Sequence, residues 1–267
     1  MSLRLRVRFQ KLGKVRWTSH RDVARMWERA CRRVQLPLAW TGGFSPRPKL
    51  SFGLALPTGA ESVAEYLDLE LAPDAVVDVE NLPARLSPAL PAGVDVAAVV
   101  AVASTPSGGR APSLQEDVVS CTWRLELAVD AASVSAAVEQ ALAAVTLPIE
   151  RERKGQRSTD DIRPAILELH VTALGPGETQ LDAVLATQPR GLRPLELLAA
   201  IDPAVEAKRV VRLNQWIERD GARHEPISLV PADAMRREHD VRTRIGVPGG
   251  LPAGTYAVST VGGVACS

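Results

Sequence analysis

The hydrophobic period changes once within the first 34 residues, and that change constrains the fold more than anything else in the chain. Over residues 3–9, Leu3, Leu5, Val7 and Phe9 alternate with Arg4, Arg6 and Arg8. A period of two marks a strand with one buried face. It predicts that the three arginines form an exposed basic face. From His20 onward the period is helical: Val23, Met26, Trp27, Ala30, Cys31 and Val34 fall on one stripe, the pattern of a helix with a single core-facing side. Ser19, with Asp22 three residues on, predicts a capping box at the helix start. Arg21, Arg25, Glu28, Arg29 and Arg32 occupy the opposite face.

The same reading continues along the chain. Residues 11–14 read as a turn and 15–17 as a short return strand. Pro37 and the run Thr41-Gly42-Gly43-Phe44-Ser45-Pro46-Arg47-Pro48 break regular structure. Strands are expected at 50–56 and 65–71, a short helix interrupted by Pro83 at 78–88, and a buried strand at 94–103. The order strand, helix, strand, strand, helix, strand is the split βαβ, ferredoxin-like plan. After a linker at 104–117 the order repeats. A strand at 120–129 precedes a helix at 131–144 striped by Val134, Val138, Leu142 and Val145. Strands follow near 146–153, 162–172 and 179–186, a helix at 193–201 and a strand at 208–217, with a charged loop at 154–160. No sequence repeat links the halves. The expectation is an α+β protein of two ferredoxin-like halves, at 1–103 and 118–219, and a flexible tail at 220–267 that is rich in Arg, Pro, Gly and Ser.

Charge is segregated. The first 50 residues hold thirteen Lys or Arg against two acids, a local net of +11, in a chain whose total is +1. A positive end of this kind suits a polyanion or an acidic partner. Glu61 to Glu80 carries seven acids and no Lys or Arg, so one acidic partner lies within the chain itself. The hydrophobic fraction of 46% excludes global disorder. Cys31, Cys121 and Cys266 are far apart, an odd set that suits a reducing, cytoplasmic setting. The start of the chain is too charged for a signal peptide. The longest nearly apolar stretch, residues 94–104, is short of the ~20 residues a membrane helix needs. The chain is therefore expected in the cytoplasm, away from the membrane.

Candidate functional residues follow from this charge. Arg4, Arg6, Arg8, Arg21, Arg25, Arg47 and Lys49 are candidates to hold phosphates, since Arg reaches two phosphate oxygens at once. Phe44, between glycines and cations, is a candidate to stack a base. The competing reading makes the helix face a solvated surface paired through Glu28 and Phe44 a plug at a core edge. His20, at a helix start, is the one candidate general base. In the second half, Lys154, Arg157, Asp161 and Arg163 could cradle an anion or merely decorate a hairpin. His170, His224 and His239 lack metal-ligand spacing, and Gly42-Gly43 lacks the Lys-Ser/Thr of a phosphate loop. No cofactor or metal is expected. No Cys-x3-Cys-x2-Cys run is present to hold an iron–sulfur cluster, so the chain cannot itself run radical chemistry on S-adenosylmethionine.

Three blocks resemble the radical-SAM-linked protein family, a bacterial domain of unknown function. They are Val7-Arg8-Phe9 through Ser19-His20-Arg21-Asp22, Pro37-Leu38-Ala39 through Ser51-Phe52, and Leu56-Pro57-Thr58-Gly59-Ala60-Glu61-Ser62 through Glu65-Tyr66-Leu67-Asp68. Lys154-Gly155 and Asp161-Ile162-Arg163-Pro164 extend the resemblance, which covers roughly residues 3–217. It implies a partner, because members are encoded beside or fused to a B12-binding radical SAM protein. It implies no catalytic residue. Members often carry an Asn-Pro-His-Pro-Lys-like run where this chain has Ser45-Pro46-Arg47-Pro48-Lys49, a change that suits binding better than proton transfer. The expected role is an accessory, RNA-binding protein, acting on tRNA or rRNA with a separate radical SAM enzyme. The alternatives are a metal-independent RNA-processing enzyme using His20, and a docking module for the radical SAM partner that makes no RNA contact.

Overall fold

The computed structural model describes residues 3–102, 113–153 and 155–227. Lys154, most of the expected linker and the tail beyond Ile227 lie outside the described residues. The protein is mixed α+β and mostly strand. In chain order the elements are β1 (Arg4–Lys11), α1 (His20–Arg33), β2 (Leu50–Phe52), β3 (Glu61–Glu70), α2 (Leu82–Leu86), β4 (Val94–Val102), α3 (Leu114–Asp117) and β5 (Val118–Leu127). They continue with α4 (Ala131–Ala143), β6 (Pro148–Arg153), β7 (Gln156–Asp161), β8 (Ile166–Gly175), β9 (Glu178–Ala186), α5 (Pro194–Ile201), β10 (Ala207–Arg219) and β11 (Ala222–His224). The described chain forms two compact units, residues 3–122 with 210–227, and residues 123–209.

In the first unit β1 is a central strand, antiparallel to β3 on one side and β4 on the other. β2 adds antiparallel to β3, so the order is β4-β1-β3-β2. β10 joins the far end of β3 in parallel, with Val211 opposite Glu61 and Arg212 opposite Ser62. One face carries Leu5, Val7, Phe9, Leu67 and Leu69, packed under Val23, Trp27, Ala30 and Cys31 of α1 and Leu82 and Leu86 of α2. Phe9 meets Trp27 edge to face at 4.9 Å, the favoured aromatic geometry. α1 begins as its sequence predicts: the Asp22 N–H donates to Ser19 Oγ at 3.2 Å, and the Ser19 hydroxyl donates to the Asp22 carboxylate at 2.7 Å. It ends in a Schellman turn. The Leu36 N–H reaches the Cys31 carbonyl at 2.9 Å, and Gln35 takes the left-handed position at φ 53°.

The other face corrects the sequence reading. Arg6 and Arg8 were expected in solvent, and each is only 5% exposed. β1 has partners on both edges, and its second face is covered too. Tyr66 and Ala64 of β3 pack there with Leu114 of α3 and Ile227, and Ala98 and Val100 of β4 join them. The chain therefore keeps regular structure past Asp220, through β11 to the buried Ile227. Two smaller corrections concern loops. Residues 15–17 belong to a 3-10 turn, Gly13–Trp17, rather than a return strand, and the strand expected over 50–56 stops at Phe52.

In the second unit β9 lies between β5 and β8, with β8 and β9 antiparallel. The strand expected near 146–153 is β6, and most of the charged loop expected at 154–160 is its hairpin partner β7, with Gly155 at φ 76° before it. α4 buries Val134, Val138 and Ala141; Val145 lies beyond the helix end and is 92% exposed, so the predicted stripe is one turn too long.

Candidate functional site

Three arginines of the first unit are structural. Arg6 grips Asp68 with two bonds, Nε to Oδ1 at 2.8 Å and Nη2 to Oδ2 at 3.0 Å. The two residues are directly opposite in the β1–β3 register, so alternation along both strands delivers them to one spot. Arg8 donates to Glu225 at 3.0 Å, and Asn214 donates to the other oxygen of Glu225 at 2.6 Å. Arg212, almost fully buried, places Nε and Nη2 on Glu65 Oε1 at 3.0 and 2.6 Å and donates from Nη2 to the Leu54 carbonyl at 2.8 Å. Burial, the largest single influence on Arg212, opposes its charge, but Glu65 and Cys121 together outweigh it and raise the pKa. At the surface Lys49 pairs with Glu70 at 2.8 Å, and Glu61 accepts from the Gly13 N–H at 2.7 Å and from Arg16 at 3.4 Å. The acidic run beginning at Glu61 is thus largely matched by basic residues within the unit. Arg4 lies half-buried on β1 opposite Glu70.

The basic residues left on the surface are concentrated on α1. Arg21, Arg25, Arg29 and Arg32 are all exposed, and at 100° per residue they fall within one face of the helix. The only ion pair the ridge makes along its own helix is Arg25 with Asp22 at 3.5 Å, in an exposed setting where such a pair is weak. Arg33, beside the ridge, is tied to the Ala89 carbonyl at 3.1 Å.

A second exposed feature is the loop between α1 and β2. Its limbs are held together: the Lys49 N–H donates to the Ala39 carbonyl at 2.9 Å, the Thr41 N–H to the Arg47 carbonyl at 2.8 Å, and the Arg47 N–H to Thr41 Oγ1 at 3.0 Å. Trp40 stands opposite Pro48 in an isolated bridge. Gly43, at φ 101°, lets the tip reverse. Phe44 at that tip is fully exposed and Trp40 is 54% exposed. Phe44 does not plug a core edge. Trp40 was not singled out from the sequence, although its place two residues before the Gly-Gly pair of the same loop was the available signal.

His20 sits at the first turn of α1, exposed, with its ring edge-on to Phe52 at 5.1 Å. It lines a cleft with Phe9, Lys11, Val23, Phe52, Leu54 and Glu65. Lys11 is 3% exposed and donates to the Thr18 carbonyl at 3.0 Å and the Arg16 carbonyl at 3.5 Å. Burial holds its amine below the usual lysine range, Glu65 works against that shift, and Arg212 adds to it. No second acid or base stands in fixed relation to His20 along the sequence; the fold brings Lys11 and Glu65 to the same cleft because β1 and β3 are adjacent.

The second-half candidates serve the fold. Asp161 Oδ1 accepts from the Leu147 N–H at 2.8 Å and the Arg163 N–H at 3.0 Å, bonds that hold its carboxyl below the ordinary range. Arg163 donates from Nε and Nη2 to the Leu142 carbonyl at 3.3 and 3.1 Å, satisfying the C-terminal end of α4. Arg157 is exposed, 3.7 Å from Glu152. Among the described residues no group of three or more His, Cys, Asp or Glu is placed to hold a metal ion, and no helix is long and apolar enough to cross a membrane.

The fold and the surface define an α+β protein with internally neutralised strands and an exposed arginine ridge. Residues 4–194 match an uncharacterized protein family conserved in bacteria (DUF2344). The match spans well over half of the chain, and the chain belongs to that family. No curated protein matches it.

Proposed function

We propose that the protein is an RNA-binding accessory factor that presents tRNA or rRNA to a separate, B12-binding radical SAM enzyme. The observation that carries the reading is the α1 ridge: four arginines stay in solvent while Arg6, Arg8 and Arg212 are consumed by acids of their own unit. Arg21, Arg25, Arg29, Arg32 and Arg47 hold phosphates, Lys49 assists at the edge, and Phe44 stacks. Arg6 and Arg8 have no part in this surface. The partner rests on the family resemblance, which covers roughly residues 3–217. The order β4-β1-β3-β2 in the first unit and the place of β9 between β5 and β8 in the second support reading the chain as two split βαβ halves, a plan that offers sheet and helix surfaces for such work.

Fluorescence anisotropy with a labelled RNA over a salt series tests this reading. Affinity falls as salt rises, and each ridge arginine changed to Gln reduces the slope by about one. Absence of RNA binding at low salt removes the reading. Co-purification of the radical SAM partner after ribonuclease treatment instead favours a docking module without RNA contact. One observation favours an enzymatic alternative: His20 shares its cleft with Lys11 and Glu65, a base beside a donor and an acceptor. RNA cleavage by the purified protein that is lost in His20→Ala establishes it.

A further inference from the structure

We propose that the loop between α1 and β2 is a stacking clamp for unpaired bases, with Trp40 and Phe44 as its two platforms, so that the nucleic acid recognised is single-stranded rather than duplex. The inference deepens the RNA reading above and rests on it.

Three observations lead there. First, an aromatic ring in solvent forgoes the burial that makes such residues valuable to a fold, yet this loop exposes two within five residues, Trp40 and Phe44. Second, the rings are presented and not merely loose. Backbone bonds Thr41 to Arg47 and Lys49 to Ala39, together with the Arg47 N–H on Thr41 Oγ1, tie the limbs below the tip. Pro46 and Pro48 further restrict the chain, so little conformational freedom is left to lose when a ligand arrives. Third, residues 39–49 include Arg47 and Lys49 and no acid; Lys49 is paired with Glu70, while Arg47 is exposed beside the rings. Flat apolar faces beside fixed cations match a base and its phosphate. Within a duplex both faces of each interior base are already covered by its neighbours, so an unpaired base is far better able to lie on Trp40 or Phe44. The positive charge opposes a basic protein partner, and the α1 ridge supplies further phosphate contacts for a strand leaving the loop.

The test uses the full-length protein with two 5′-fluorescein probes at 100 mM salt: a twelve-nucleotide oligouridine and a twelve-base-pair RNA duplex. Wild type binds the single strand at least about 10-fold more tightly. Phe44→Ala and Trp40→Ala each weaken single-strand binding about 5- to 150-fold, the measured range for a stacked base, and leave duplex affinity unchanged. Phe44→Trp retains it. Circular dichroism melting curves confirm that these surface variants fold. Unchanged single-strand affinity in both alanine variants, with loss in Arg25→Gln, overturns the clamp and leaves the RNA reading standing. Equal loss on both probes also overturns the clamp, because stacking cannot act within the duplex. Failure of wild type to bind either probe at any salt overturns the RNA reading.

Discussion

Replacing Arg6 by Ala separates structural from functional charge in this protein. The Arg6 and Asp68 side chains are 6% and 7% exposed and share two bonds of 2.8 and 3.0 Å across the β1–β3 register. Removing the guanidinium leaves a carboxylate sealed beneath Tyr66 and the residues that cover that face. Breaking a buried pair from one side costs about 3–5 kcal/mol, because the surviving charge loses both water and partner. For a protein of this size that corresponds to a melting temperature lowered by roughly 6–20 °C. The double variant Arg6→Met, Asp68→Leu removes both charges and returns stability to within about 1–2 kcal/mol of wild type. Urea unfolding followed by near-UV circular dichroism measures both, and RNA anisotropy is recorded below the unfolding transition. A loss under 1 kcal/mol in Arg6→Ala, accompanied by weakened RNA binding, would refute the reasoning, since it would mean that Arg6 faces a ligand and not Asp68.

Other consequences are equally direct. Burial pushes the Cys31 thiol up to about 12 and the Cys121 thiol up to about 11, so neither carries appreciable thiolate at pH 8. Iodoacetamide then labels them only after denaturation, and mass spectrometry of the folded protein finds both unmodified. Gly93 sits at φ 91°, where an added Cβ would collide with the Leu12 carbonyl. Gly93→Ala therefore costs more than ~1 kcal/mol, read by the same urea unfolding. The Asp22 carboxyl is held low first by its bond from Ser19 and then by Arg25. Such a group stabilises the folded state above the ordinary aspartate value of 3.8 and loses that contribution as pH falls through the lower folded value. Amide exchange at the start of α1, expressed relative to the intrinsic rate at each pH, accordingly accelerates on acidification below that point. Ser19→Ala, which removes the cap at a cost of ~1 kcal/mol, accelerates it already at pH 7.

Much of the architecture was legible because local rules decide it. The stripe from Val23 to Cys31 and the Ser19 cap define α1 without help from elsewhere, and its outward arginines are exposed as read. The β1 arginines were misread because alternation reports two faces but not what covers each. Their cover comes from Leu114 and Ile227, far away in sequence. Their partners, Asp68 and Glu225, are 62 and 217 residues distant. One clue was present, the acid run from Glu61 to Glu80 without a Lys or Arg, and four of its members, Glu61, Glu65, Asp68 and Glu70, are ion-paired within the unit. The strand expected near 146–153 is β6, but β7 reads as loop from the sequence because Gln-Arg-Ser-Thr-Asp-Asp is too polar to show an apolar face. Trp40 was overlooked because a lone aromatic in a loop carries no period.

The central claim is that the α1 ridge, and not the arginines of β1, meets the phosphate backbone. The most direct measurement is the dependence of single-stranded RNA affinity on salt for wild type and for the variant with Arg21, Arg25, Arg29 and Arg32 changed to Gln. The account predicts that the quadruple change flattens the log–log slope by about 3, at roughly 0.7 per phosphate released, while the protein keeps its fold. A slope unchanged by the four substitutions contradicts it.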